Sequence, residues 1–287
     1  MMKKLSFIFY KILFFFNEIF KFITKKNILI YFKEFLENDS YQEVLINEKK
    51  TKFFSPNKLT DWRVKTFFSK EPETLEWINS FNDKENSIFW DIGANIGLYS
   101  IYNTLKNTNS KTIAFEPSTS NLRILSRNIS INNFEKKIKV LPIPLTNKEN
   151  SFLIMNEPNF TEGSALNSFG EKYNFEGKFF ESKMRYQIFG TTINYLLDSK
   201  ILEVPDYIKI DVDGIEHLIL EGGDKYLKNE KIKSLSIEVN ENFKEQYDKV
   251  LKIMHKNNFQ ILHKKNNMKT NEKDNKYLNI FNYVFVR

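Results

Sequence analysis

Five acidic residues, Asp91, Glu116, Asp211, Asp213 and Glu238, stand at or just past the ends of apolar runs, with glycines at 93, 97 and 214 beside them. A core strand has no structural need to end on an acid. One such case is explained by a carboxylate capping the helix that follows. Four apolar runs ending this way are better explained by a shared site. Grouped carboxylates suit three tasks: accepting hydrogen bonds from ligand hydroxyls, balancing a cationic ligand, and taking up a proton.

The first acid opens a glycine loop, Asp91-Ile-Gly93-Ala-Asn95-Ile-Gly97. Gly93 and Gly97 allow a tight turn and let backbone amides approach a ligand before the next helix begins. Glu116 follows Gly93 by 23 residues, where an acid accepts hydrogen bonds from the ribose hydroxyls of a nucleoside cofactor. A dinucleotide asks for G-x-G-x-x-G, yet the middle glycine position here is Asn95. Asp91 would also sit badly beside a pyrophosphate, whereas it suits a ligand carrying an ammonium and a sulfonium. The loop therefore favours S-adenosylmethionine over NAD. Taken alone, Asp91 has a second reading as a loop cap.

Alternating strands and helices must position these residues. Apolar runs at 88–92, 111–117, 137–145, 206–212, 234–239, 259–263 and 280–286 read as strands. Helical spacing covers 97–106, 121–133, 215–227 and 244–257. This alternation predicts an α/β, mainly parallel, doubly wound sheet with helices on both faces, and ligands at the carboxyl ends of its strands. The stretch 156–192 is too long for a simple connection; its Tyr, Phe, Ser, Asn and Lys suit a substrate-binding insertion. Residues 62–81 read as an extended piece followed by a helix starting near Pro72.

Composition narrows the chemistry. The absence of cysteine excludes disulfides, thiolate metal sites and a cysteine nucleophile, and three histidines make a multi-histidine site a poor expectation. The net charge of +7 is carried by the ends: residues 1–36 and 255–287 each hold +5, leaving −3 between them. A nucleic-acid binder would line its working groove with positive charge instead.

Residues 1–26 are basic and apolar, but Lys11, Glu18 and Lys21 interrupt the run. The uninterrupted apolar stretches are too short to span a bilayer. Asn17, Glu18, Lys21, Thr24 and Lys25 share one helical face, and Ile12, Phe16, Ile19 and Ile23 the other. Two readings follow: a helix lying on an anionic membrane, or one docked on the protein itself or a second subunit. The expected location is cytoplasmic, at the inner face of the membrane on the first reading.

The segments "FWDIGANIGLYS" (89–100), "FEPSTSNLRILSRNISIN" (115–132), "PDYIKIDVDGIEHLILEG" (205–222) and "SIEVN" (236–240) resemble the FkbM family of S-adenosylmethionine-dependent methyltransferases. The resemblance covers about residues 87–262 and departs from the commonest family form at Asp213, where Glu is usual. It implies a class I methyltransferase fold whose last strand, 280–286, is antiparallel. The helical pattern at the start of the chain divides it into an amphipathic helical N-terminal extension (1–60) and a methyltransferase domain (61–287) carrying the insertion at 156–192. The resemblance further implies O-methylation, often of sugars in glycans, lipopolysaccharide or secondary metabolites. Asp91, Gly93, Asn95 and Gly97 would line the methionine and ribose, Glu116 the ribose hydroxyls, and Leu145–Asn147 the adenine. Asp211 would lie near the sulfonium, with Asp213, Glu216 and His217 facing the acceptor.

An alcohol needs a base as it attacks. His217 is the side chain best tuned to neutral pH, with Asp211 and Asp213 as alternatives. Asp211, Asp213 and Glu238 suit Mg²⁺, but the same acids bind sugar hydroxyls, and no metal is expected. Rival functions are a base-modifying nucleic-acid methyltransferase, weakened because Asp211-Val-Asp213-Gly214 lacks that class's prolines, an NAD-dependent sugar oxidoreductase, and a catalytically silent adaptor at a membrane.

Overall fold

The computed structural model describes residues 1–82, 86–266 and 277–287. Two helices, α1 (Met2–Thr24) and α2 (Leu29–Asn38), lead into a hairpin of β1 (Tyr41–Ile46) and β2 (Lys49–Phe54). The hairpin corrects the expectation of an all-helical extension to residue 60. Its two-residue turn, Asn47–Glu48, has positive φ at both positions, the turn whose twist matches paired strands. Helix α7 (Thr119–Ile131) supports it: Asn128 Oδ1 accepts from Phe54 N at 2.7 Å, and Asn132, just beyond that helix, accepts from Lys52 N at 3.0 Å.

Next come α3 (Lys58–Lys65), α4 (Phe67–Lys70) and α5 (Pro72–Asn79). Pro72 opens a helix as expected, but the preceding piece is helical rather than extended. The reason is Asn57, whose side chain accepts from the Leu59 and Thr60 amides while Thr60 returns a bond, a capping box.

The main sheet begins with β3 (Ile88–Ile92), followed by α6 (Leu98–Lys106), β4 (Lys111–Phe115), α7 and β5 (Ile138–Leu141). A small antiparallel sheet of β6 (Ser151–Glu157), β7 (Ser168–Phe169) and β8 (Met184–Gly190) then interrupts it, so 156–192 is more ordered than a plain loop. Helix α8 (Ile193–Asp198), capped by Thr192, was not legible as a separate helix. The chain continues through β9 (Tyr207–Ile210), α9 (Glu216–Glu221), β10 (Ser234–Asn240), α10 (Lys244–Lys256), β11 (Gln260–Lys265) and β12 (Ile280–Val286).

The seven strands run in the order β11-β12-β10-β9-β3-β4-β5. Strands β5, β4, β3, β9 and β10 are parallel, and β12 is antiparallel to both β10 and β11. This is the class I methyltransferase sheet, with its switch in strand order between β3 and β9. Strand alternation sorts the core into two layers. Trp90, Ile92, Phe115 and Ile210 pack with α8, α9 and α10, while Phe89, Ala114 and Tyr207 pack with α5, α6, α7 and the hairpin. Both faces are covered, which is why the strands read as apolar runs rather than alternating ones.

Candidate active site

The glycine loop lies at the carboxyl end of β3, beside the switch point. Gly93 N and Ala94 N both donate to Phe115 O, at 3.1 and 2.9 Å, tying the loop to β4. Gly93, Asn95 and Gly97 all have positive φ. A β-carbon on Gly97 would come within 2.5 Å of Leu125 Cδ1, so glycine there permits α6 to approach α7. Asn95 N donates to Glu116 Oε2 at 2.7 Å, and Ser118 N donates to Glu116 Oε1 at 2.9 Å. Burial nevertheless dominates and pushes Glu116 up to about 8.

Two connected spaces open from this loop. A narrow cleft is lined by Glu116, Pro117, Ile143 and Leu145 with Phe169 of β7. A larger cavity, about 510 Å³, is walled by Trp62, Arg63, Tyr99, Phe175, Tyr277 and Glu238. Gly93, Asn95, Ser164, Ala165, Asp211 and Asp213 line both. Of the segment expected around adenine, Leu145 reaches the cleft; Asn147 instead donates to Glu221 at 2.8 Å.

Asp211, Asp213 and Glu238 converge, with one carboxylate oxygen from each lying within 4.8 Å of the others. Burial, then the neighbouring Asp211 charge, raises Asp213 to about 6. Burial followed by Asp211 and Asp213 raises Glu238 well above the usual range. Asp213 also accepts from Leu166 N at 2.7 Å, tying the cluster to the insertion.

Beneath this cluster sits Lys209, a lysine 2% exposed in the middle of β9. It stands opposite Asp91 in the β3–β9 register, and its Nζ lies 2.6 Å from Asp211 Oδ2. Burial favours its neutral form, but Asp211, Asp91 and Glu71 outweigh burial and hold it charged. Tyr99 completes the network: Lys209 Nζ is 4.9 Å from its ring centre, and its hydroxyl donates to Glu71 at 2.7 Å. Lys70 and Lys209 overcome burial to hold Glu71 at about 2. Lys209, Glu71, Lys70, Arg63 and Tyr99 were missed in the sequence. The one available signal was a lysine between Ile208 and Ile210 in a strand otherwise apolar.

Asp91 lies below the loop, fully buried, accepting from Ser100 Oγ at 2.6 Å. Its Oδ1 and the Asn95 Oδ1 are buried and have no partner among the described residues. Spare buried acceptors beside a glycine turn, a buried acid after β4, and an apolar cleft fit the ammonium, ribose and adenine of S-adenosylmethionine.

Two expected acceptor-side residues are placed elsewhere. His217 is fully buried, stands edge-on to Phe243 with ring centres 6.0 Å apart, and lines neither space. Burial lowers it to about 4, so it is neutral and sequestered rather than poised as a base. Glu216 is equally buried and accepts from Val212 N at 3.0 Å and from Gly214 N at 3.0 and 3.2 Å. It clamps the 212–214 turn that presents Asp211 and Asp213. Ile215 and Leu218 pack under the small sheet, turning Glu216 toward Gln246 of α10, which donates to it, and His217 toward Phe243.

The methyltransferase FkbM domain model matches residues 91–261. Methyltransferase sdnD of Sordaria araneosa is 30% identical over 183 residues, covering 55% of this chain and 69% of that protein. Among solved structures, methyltransferase FkbM of Methylobacillus flagellatus KT is similar with a TM-score of 0.48 and 16% identity, over 79% of this chain and 55% of that one. Precorrin-6y C5,15-methyltransferase of Geobacter metallireducens GS-15 is similar with a TM-score of 0.43 and 13% identity, over 76% and 86% respectively. The domain match spans more than half of the chain and sets aside both the NAD-dependent oxidoreductase and the silent adaptor. The chain belongs to the FkbM methyltransferase family and uses S-adenosylmethionine as its methyl donor.

Proposed function

We propose that the protein methylates a hydroxyl of a sugar or of a glycan or glycolipid precursor. The observation that carries this reading is the composition of the larger cavity. Trp62 and Tyr277, the latter backed by the buried Phe175, offer flat faces for sugar rings, and Asp211, Asp213 and Glu238 offer acceptors for hydroxyls. The cavity joins the glycine loop through Gly93 and Asn95, which line it as well as the cleft.

When bound, S-adenosylmethionine supplies an electrophilic methyl group on a sulfonium. Asp91, Asn95 and Glu116 would hold its polar groups, with Leu145 and Ile143 against the adenine. Alignment of the hydroxyl by the carboxylate cluster removes several kcal/mol of barrier. Asp213 is the base we assign, because a carboxyl near 6 is ionised at neutral pH yet more basic than an ordinary aspartate. Lys209 pairs with Asp211 at 2.6 Å, and Asp213 and Glu238 complete the cluster beside it.

The test is incubation of the full-length protein with S-adenosylmethionine and a panel of free, nucleotide-linked and lipid-linked sugars, read by mass spectrometry. A methyl ether on a sugar, formed with S-adenosylhomocysteine, is the expected product. Methylation confined to amines or carboxylates in a parallel panel would remove the O-methyl reading.

A further inference from the structure

Two thirds of the exposed large apolar side chains among the described residues belong to residues 1–36. On α1, Leu5, Ile8, Ile12, Phe16, Ile19 and Ile23 share one helical face, and each is at least 44% exposed. Lys3, Lys11, Glu18 and Lys21 lie on the other side, interleaved with the exposed Phe7, Tyr10 and Phe14. Helix α2 adds Ile30, Tyr31, Phe35 and Leu36, also exposed.

This surface is held in a defined shape. Asn17, the single buried residue of α1, accepts from Ile28 N at 2.9 Å and Leu29 N at 3.2 Å, pinning the bend into α2. At the far end of α2, Glu37 pairs with Arg123 at 2.7 Å and Arg127 at 2.6 Å on α7. Arg123 also pairs with Glu162 at 3.1 Å, next to the Ser164–Ala165 wall of both spaces. The two-helix unit is therefore anchored beside the site while its apolar face stays uncovered.

Charge selects what covers that face. Residues 1–36 carry seven lysines and two glutamates, a net +5. A second copy packed on the same surface would set +5 against +5. No described helix is long and apolar enough to cross a membrane. A surface of anionic lipid headgroups matches both properties: acyl chains for the apolar face, phosphates for lysines whose stems reach outward. We infer that residues 1–36 dock the enzyme flat on an anionic bilayer surface, with α1 lying in the interface.

The experiment is flotation of the full-length protein with vesicles of phosphatidylcholine alone or with phosphatidylglycerol added. The expected result is at least about tenfold more protein on the anionic vesicles, falling as salt is raised. A variant combining Ile8→Ser, Ile12→Ser, Phe16→Ser and Ile19→Ser should lose flotation, as should one combining Lys3→Glu, Lys11→Glu and Lys21→Glu. Both should keep wild-type affinity for S-adenosylhomocysteine, which reports an intact fold. Equal recovery on neutral and anionic vesicles, or no flotation, would overturn the inference. So would vesicle-free self-association that the serine variant abolishes.

Discussion

A β-carbon placed on Gly93 would lie 1.9 Å from the carbonyl oxygen of Asp211. The glycine loop and the acidic turn after β9 are thus in backbone contact, and the two halves of the site cannot shift independently. Gly93 also sits at φ +87°. Gly93→Ala combines left-handed strain of about 1–2 kcal/mol with overpacking of about 1–3 kcal/mol. It should lose about that total in denaturant unfolding and bind S-adenosylhomocysteine poorly. Gly97→Ala meets only the movable Leu125 methyl, so its loss should stay near about 1–2 kcal/mol.

Both oxygens of Glu116 accept backbone amides, so Glu116→Gln must turn its NH₂ group toward one N–H. Burial pushes Glu116 up to about 8, so it is largely neutral at pH 7, and S-adenosylhomocysteine affinity should fall by about 0.5–1.5 kcal/mol, the worth of a hydrogen bond between neutral groups. Calorimetric titration checks it; unchanged affinity would remove the ribose assignment.

Asp213 is raised from 3.8 to about 6. The folded state therefore holds the proton through a window where the unfolded chain has released it. Stability from this group is present below about 4 and lost as pH rises through about 6. Asp213→Asn keeps an acceptor for Leu166 N and tolerates the left-handed φ of 66°. Its melting curve should show a gain of about 1–2 kcal/mol at pH 7, after allowance for partial exposure, and none at pH 4. Turnover should move the other way: wild-type kcat/KM rises with pH through about 6, and the variant is slowed with its cofactor affinity kept.

His217 behaves with the opposite sign. Burial lowers it from 6.5 to about 4, so the unfolded chain takes up a proton that the folded state refuses. Stability is lost as pH falls from about 6.5 toward 4, by up to about 3 kcal/mol. Neither ring nitrogen has a partner among the described residues. His217→Leu should therefore melt no lower than wild type at pH 7, flatten the acid limb of the stability profile, and retain turnover. A turnover collapse with an unchanged fold would return His217 to the chemistry.

Local pattern determined much of this protein. The apolar runs gave strands, the 3.6-residue spacing gave helices, and the glycine loop with Glu116 marked the cofactor side, because each signal is confined to neighbouring residues. The type I′ turn at Asn47–Glu48 and the capping box at Asn57 were equally local but escaped the reading of 1–60 and 62–81. Tertiary structure alone decided which acids face the cavity. His217 and Asp213 are four residues apart, yet one is sealed against Phe243 and the other meets Asp211 and Glu238. Lys209 shows why: its charge survives burial only because β3 brings Asp91 beside it while α5's approach brings Glu71 near. Burial and charge pairing are set by strands far apart in sequence, and no local spacing encodes them.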